Sequence, residues 1–181
     1  MTRWAMVIDL GRCVGCQACT IACQINNDLP LGMFWNIVTT AGPKGTFPTL
    51  NYHHLPRPCF HCDNPPCVPC CPTGASTQRE DGIIFVDDDK CIGCGACIMS
   101  CPYGARTLNK QLGVVQKCTF CTDIIGNGTE PYCVSTCHQR ARIFGDISDP
   151  DSEVYRLVNA ENAIQLMPEF GTDPHVYYIQ P

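Results

Sequence analysis

The stretch that most limits what this chain can become is Cys91-Ile-Gly-Cys94-Gly-Ala-Cys97-Ile-Met-Ser-Cys101-Pro102, spaced C-x2-C-x2-C-x3-C-P. The theme recurs three times more: Cys13-x2-Cys16-x2-Cys19-x3-Cys23, Cys59-x2-Cys62-x4-Cys67-x3-Cys71-Pro72, and Cys118-x2-Cys121-x11-Cys133-x3-Cys137. In chain order these are motifs I, II and IV, with the opening stretch as motif III. They absorb all but one, Cys70, of the 17 cysteines in 181 residues. A disulfide-stapled secreted scaffold is one reading of so many cysteines in a short chain. The odd count and the spacings argue against it. Two close cysteine pairs make a zinc site, and Cys118/Cys121 (x2) with Cys133/Cys137 (x3) taken alone could be one. Zinc does not call for triplets followed by x3-C-P.

That run is instead the one by which a bacterial-type ferredoxin wraps a [4Fe–4S] cube, its fourth cysteine ligating a second cube. Three thiolates on a tight turn reach three corners of one cube. The fourth, one helical turn on and about 5 Å along the axis, faces a neighbour. Gly93 and Gly95 let the backbone curl around inorganic sulfide and offer it N–H groups.

Residues 4–9 read as a short buried strand leading into motif I. Residues 17–25 have helical spacing and stop at Asn26-Asn27-Asp28-Leu29-Pro30. Trp35 to Thr40 and Thr49 to His53 read as a hairpin, with Gly42-Pro43-Lys44-Gly45 as its turn and His53 and His54 as a surface pair at a strand end. No C-x-x-C-H run marks covalent haem attachment. In motif II, Asp63-Asn64-Pro65-Pro66 is a rigid detour. Registers ending at Cys70 or at Cys71 both exist there. The internal repeat of Cys71-Pro-Thr-Gly-Ala against Cys101-Pro-Tyr-Gly-Ala selects Cys71, leaving Cys70 as a small buried hydrophobe. Strands follow at 82–87 and 105–109, with Asp87-Asp88-Asp89 as a solvated turn. In motif IV the inserted loop runs from Thr122 to Tyr132, with Gly126-Asn127-Gly128 at its tip. Residues 142–146 read as a strand pairing with 5–9, 149–160 as a helix and 175–179 as a last strand.

Charge and composition narrow the partners. Net charge is −5 and only 16% of residues are charged, so nothing points to nucleic acid or to an anionic membrane surface. No apolar run reaches the roughly 18 residues of a transmembrane helix, and no signal peptide is expected. No nucleophile–base pair and no Gly-rich phosphate loop is present. Arg12, Lys90 and Lys117 each directly precede the first cysteine of a motif, where a cation favours a reduced cluster or simply solvates the surface.

On these four motifs, in this order and with x4 in the second and x11 in the fourth, the chain resembles the four-cluster electron-transfer subunit of the molybdopterin oxidoreductase (DMSO reductase) superfamily. Polysulfide, thiosulfate and arsenate reductase iron–sulfur subunits are among its relatives. The resemblance covers residues 1 to about 150 and the tail more loosely. It implies an α+β fold of two bacterial-ferredoxin-like double-cluster units, loop-rich, with short antiparallel strands and short helices. One unit is 1–56 with 112–148 (motifs I and IV), the other 57–111 (motifs II and III), and 149–181 is a C-terminal extension. It also implies four [4Fe–4S] clusters with crossed ligands: Cys13, Cys16, Cys19 and Cys137; Cys23, Cys118, Cys121 and Cys133; Cys59, Cys62, Cys67 and Cys101; Cys71, Cys91, Cys94 and Cys97. Some relatives carry tryptophan at the second cysteine of motif III; Cys94 keeps that position a ligand here. His138 stands where motifs II and III have proline.

The role implied is a non-catalytic conduit in anaerobic respiration, between a quinone-linked membrane subunit and a molybdenum or tungsten molybdopterin catalytic subunit. Its implied location is peripheral, at the extracytoplasmic face, carried there as a folded passenger of the partner, with the cytoplasm as the alternative. Three rivals predict different things. A free polyferredoxin predicts a soluble monomer. The conduit of a formate dehydrogenase or hydrogenase complex often brings a C-terminal membrane helix. A zinc-ribbon adaptor predicts a colourless protein.

Overall fold

The four residues Ala5 to Ile8 have no exposed surface, and strand β1 (Trp4–Asp9) is the spine of the fold. The computed structural model describes residues 1–125, 128–160 and 163–180; the expected loop-tip residues Gly126 and Asn127 lie outside them. Side chains alternate across β1. Met6 and Ile8 face the main core with Phe60, Phe120 and Tyr178, while Ala5 and Val7 face Val154.

After β1 come α1 (Ala18–Asn26), β2 (Ile37–Thr46), β3 (Thr49–Arg57), β4 (Ser76–Gln78), β5 (Ile84–Val86), α2 (Ala96–Ser100), β6 (Thr107–Asn109) and β7 (Val114–Gln116). Then follow α3 (Thr122–Ile125), α4 (Tyr132–Ser135), β8 (Arg142–Asp146), α5 (Glu153–Ala160), β9 (Ile164–Gln165) and β10 (Val176–Ile179). Among the described residues the strands form one four-stranded sheet, ordered β8-β1-β10-β9, and three hairpins, β2-β3, β4-β5 and β6-β7. The expected pairing of 5–9 with 142–146 is present and antiparallel, with Met6 opposite Phe144.

On its other side β1 takes β10 in parallel, Met6 opposite Val176. The segment read as a C-terminal extension thus supplies a central strand. On its way there it brackets the motif II detour. The N–H groups of Asp63 and Asn64 donate to the carbonyls of Asp173 and Thr172 at 2.9 and 3.0 Å, and that of His175 donates to Phe60 at 2.8 Å. Tyr178 donates its buried hydroxyl to the Pro56 carbonyl at 2.7 Å. Helix α5 starts at Glu153, where the Ser152 hydroxyl accepts the Tyr155 N–H at 3.0 Å; this is an N-cap. It starts four residues later than the sequence suggested.

The hairpin corrects a second expectation. Gly42-Pro43-Lys44-Gly45 is not its turn but part of β2. The strands stay paired out to Thr46 opposite Thr49, and the chain reverses at Phe47-Pro48. Pro43 has no N–H to give the ladder. A register shift between Ala41 and Lys44 absorbs it, and a two-stranded ribbon with open edges tolerates this. His53 and His54 therefore sit inside β3, opposite Ala41 and Thr40, not at a strand end.

The x3 step is not the same in every motif. Cys19 and Cys23 both lie on α1. Helix α2 ends before Cys101, which is extended at φ −81°, ψ 112°. Pro102 forces this, because the residue before a proline is pushed out of the α region. Motif II, with Pro65, Pro66 and Pro69, runs through turns with no helix.

Candidate cluster sites

In all four motifs the residue just before the second cysteine is left-handed: Gly15 (φ 68°), His61 (φ 44°), Gly93 (φ 64°) and Phe120 (φ 55°). This conformation turns the loop so that successive thiols converge. At Gly93 a side chain has no room, since a Cβ there runs into the Gly113 carbonyl. His61 and Phe120 carry strain at the same place and are anchored by full burial.

The thiols fall into groups that mix motifs. One cavity is lined by Cys13, Cys16 and Cys19 together with Cys137. A second is lined by Cys59, Cys62 and Cys67 together with Cys101. Cys23, on α1, feels the thiols of Cys133 and Cys121, and Cys118 feels those of Cys23 and Cys133. Helices α1 and α4 pack against each other there. In the fourth region Cys97 feels Cys70 and Cys91, and the Val115 N–H donates to Cys91 at 3.3 Å. Cys94 is exposed.

The chemistry of these thiols fits a metal–sulfur cofactor. Burial pushes Cys23 and Cys62 up to about 12, and Cys67 and Cys121 up to about 11. Left to themselves such groups stay protonated at neutral pH; a coordinated metal deprotonates a thiol outright. Backbone N–H groups also point at sulfur, from Ala141 to Cys137 at 3.3 Å and from Phe120 to Cys118 at 3.5 Å.

Cys71 differs from the rest. The Ser76 N–H, with those of Thr73 and Ala75, outweighs slight burial and lowers its thiol to about 7. Its Sγ lies 3.6 Å from the Thr73 hydroxyl. Cys70 is half-buried, not fully buried as the sequence suggested, with Sγ 3.2 Å from the Ser100 hydroxyl on α2. His138 leans over the first cavity with Nδ1 4.0 Å from Cys16 Sγ. His54 closes the same loop from the other side, its ring against Gly15.

Three buried cations stand among the thiols. Arg142 reaches Cys19 Sγ through Nη2 at 3.5 Å and Cys133 Sγ through Nη1 at 3.8 Å, and Asn36 Oδ1 holds Nη2 at 2.7 Å. Arg106 places Nη2 2.8 Å from both Cys67 Sγ and the Ser76 hydroxyl. Among the described residues its buried Nη1 has no partner, a donor that cofactor sulfide would satisfy. Lys117 gives its ammonium to the carbonyls of Ile84 and Cys118. Of these only Lys117 stands out in the sequence; Arg12 and Lys90 are ordinary surface cations paired with Asp9 and Asp87. The missed signal is positional. Arg106 and Arg142 each stand five residues after the last cysteine of motifs III and IV.

Comparison with known proteins adds a family. Residues 50–147 match a 4Fe-4S dicluster domain, and residues 10–29 a 4Fe-4S binding domain. The chain is 47% identical to a subunit of the tetrathionate reductase of Salmonella typhimurium, over 98% of this chain and 72% of that one. It is 46% identical to a subunit of the sulfite dehydrogenase of Allochromatium vinosum, over 99% and 83%. It is 35% identical to the arsenate respiratory reductase iron–sulfur subunit of a Shewanella species, over 98% and 96%.

Proposed function

The chain belongs to the 4Fe-4S family of iron–sulfur electron-transfer subunits of molybdopterin oxidoreductase complexes, and on that premise we propose that it carries four [4Fe–4S] clusters as a wire. One end serves a molybdopterin catalytic subunit and the other a quinone-linked membrane subunit. The ligand sets are Cys13/Cys16/Cys19/Cys137, Cys23/Cys118/Cys121/Cys133, Cys59/Cys62/Cys67/Cys101 and Cys71/Cys91/Cys94/Cys97. When bound, each cube takes up and passes on one electron.

The observation that best supports this reading is that Cys137 of motif IV lines one cavity with the first three cysteines of motif I, and Cys101 of motif III lines another with those of motif II. In this reading motif I joins IV, and II joins III, in two ferredoxin-like halves, 1–56 with 112–148 and 57–111. Burial excludes water from the thiolates, the left-handed turns fix their directions, and backbone N–H groups face the sulfurs. Among the described residues no helix is long and apolar enough to cross a membrane. In this reading attachment runs through a partner subunit, at the extracytoplasmic face.

The test is reconstitution. The chain with its clusters should not itself reduce tetrathionate, arsenate or polysulfide. It should restore electron flow from a quinol analogue when a complex depleted of it is rebuilt with its catalytic and membrane subunits. Turnover by the chain alone would refute a purely conducting role.

A further inference from the structure

Arg142, Lys117 and Arg106 are almost wholly buried, at 3%, 3% and 4% exposure. Each sits where two different thiol sets adjoin. Arg142 spans Cys19 of the first set and Cys133 of the second with separate nitrogens. Lys117 bonds the carbonyl of Cys118, of the second set, and that of Ile84, which lines the third cavity beside Cys59 and Cys67. Arg106 holds Cys67 of the third set, and Cys67 packs in one cluster with Cys97 of the fourth. Ordered along the chain of sets, there is one cation at each of the three junctions.

None of the three is neutralised by a carboxylate: among the described residues the ion pairs of the chain involve other cations. A buried guanidinium is costly unless something negative faces it. Here that is sulfur, on two sides of Arg142 and at Cys67 for Arg106, supported by the neutral acceptors Asn36 and Ser76.

We propose that Arg142, Lys117 and Arg106 are junction cations, each shared by two neighbouring clusters and each raising the reduction potential of both. This rests on the four-cluster reading above. A cube with four thiolates is negatively charged, and the arriving electron adds one more negative charge. Two adjacent cubes therefore oppose each other's reduction. A fixed positive charge between them offsets that repulsion, and solvent does not screen it. Electron balance is unchanged: one electron enters from one neighbour and leaves to the next. What the cation alters is how evenly the levels along the wire are spaced. The repeat supports a dedicated role: Arg106 and Arg142 occupy the same position after motifs III and IV, and motif II has Ser76 there, which hydrogen-bonds Arg106.

The experiment is a redox-poised EPR titration of the full chain loaded with clusters, with iron counted in every sample. Arg142→Gln keeps N–H donors but loses the charge. It should lower the reduced-to-oxidised ratio at a fixed electrode potential about tenfold, about 59 mV for one electron, in two of the four waves. Arg106→Gln should do the same to the other two. Arg142→Lys and Arg106→Lys, which keep the charge, should stay within about threefold of the parent. Lys117→Met should shift one wave from each pair.

Gln variants with unmoved waves overturn the proposal, as do shifts in all four waves at once, or Lys variants that move as far as Gln. If a Gln variant holds fewer than four cubes, Arg142→Met or Arg106→Met, which also removes the charge, is read by the same criterion, and Lys117→Met tests the middle junction independently, unmoved waves there overturning the proposal. A parent protein without four cubes would refute the four-cluster reading itself, and the iron count alone reveals that.

Discussion

The rings of His61 and Phe120 lie stacked, centroids 3.8 Å apart with 30° between their planes. Each is the residue before the second cysteine of its motif, His61 in motif II and Phe120 in motif IV, and each is left-handed. The two loops that turn thiols toward different sets are thus pressed face to face. His61 Nδ1 accepts the Ile84 N–H at 3.1 Å, and complete burial, reinforced by Lys117, holds the ring neutral. Phe120 in turn packs edge-on against Phe144 of β8. One continuous aromatic core therefore joins the loops of motifs II and IV to β8.

Phe120→Ala should uncouple them. Phe120 is 1% exposed, and truncating a buried phenylalanine costs about 3–5 kcal/mol. For a chain of this size that lowers the melting temperature by roughly 10 °C. Anaerobic thermal melts followed by the visible absorption of the clusters check it. Phe120→Leu should recover more than half of the loss.

Metal content is the bluntest test. Anaerobically prepared chain should be brown and hold about 16 iron and about 16 sulfide, four of each per cube. Stripping the iron with a chelator should unfold the protein, because cluster bonds hold thiols from motifs far apart in sequence. Stoichiometric zinc without visible absorption would refute the reading.

Cys70 and Cys71 are neighbours with different surroundings. Cys71 Sγ sits in a nest of N–H groups suited to a thiolate, while Cys70 Sγ faces the Ser100 hydroxyl beside Cys97. Cys70→Ser should keep four cubes. Cys71→Ser should lose one or convert it to a three-iron form, seen by EPR and iron analysis. The reverse result would assign the ligand to Cys70.

Much of this architecture was legible because it is local. The Cys-x2-Cys turns, α1, β1, β5 and β6 are written in short-range pattern and repeat, whereas β4 and β7, too short to show a pattern, appear only as the hairpin partners of β5 and β6. The β1–β8 pairing is long-range and was anticipated only through the pairing of motifs I and IV that the resemblance implies. What escaped was set at long range. Val176 to Ile179 read as a strand, but nothing local marks it as the parallel partner of Met6 to Asp9. The hairpin turn was misplaced because Gly-Pro-Lys-Gly carries stronger turn chemistry than Phe47-Pro48. Arg106 and Arg142 carry no local signal beyond their places in the strands 105–109 and 142–146. Only the folded chain shows the Arg142 guanidinium between the sulfurs of Cys19 and Cys133 and that of Arg106 on Cys67.

The crossed ligation itself is tested by which variants share a phenotype. If Cys137 completes the cube of Cys13, Cys16 and Cys19, then Cys137→Ser and Cys16→Ser should perturb one and the same redox wave. Cys121→Ser should perturb another. The expectation rests on geometry: Cys137 stands past the end of α4, in the cavity of motif I, whereas Cys133, on α4, faces Cys23 of α1 and Cys118. The Ala141 N–H donates to Cys137 Sγ at 3.3 Å, which helps orient that sulfur. Arg142 supplies a second check, since it touches Cys19 and Cys133 and so borders both cubes. If Cys137→Ser and Cys121→Ser perturb the same wave, the four motifs are independent sites and motif I does not close on motif IV through a shared cluster.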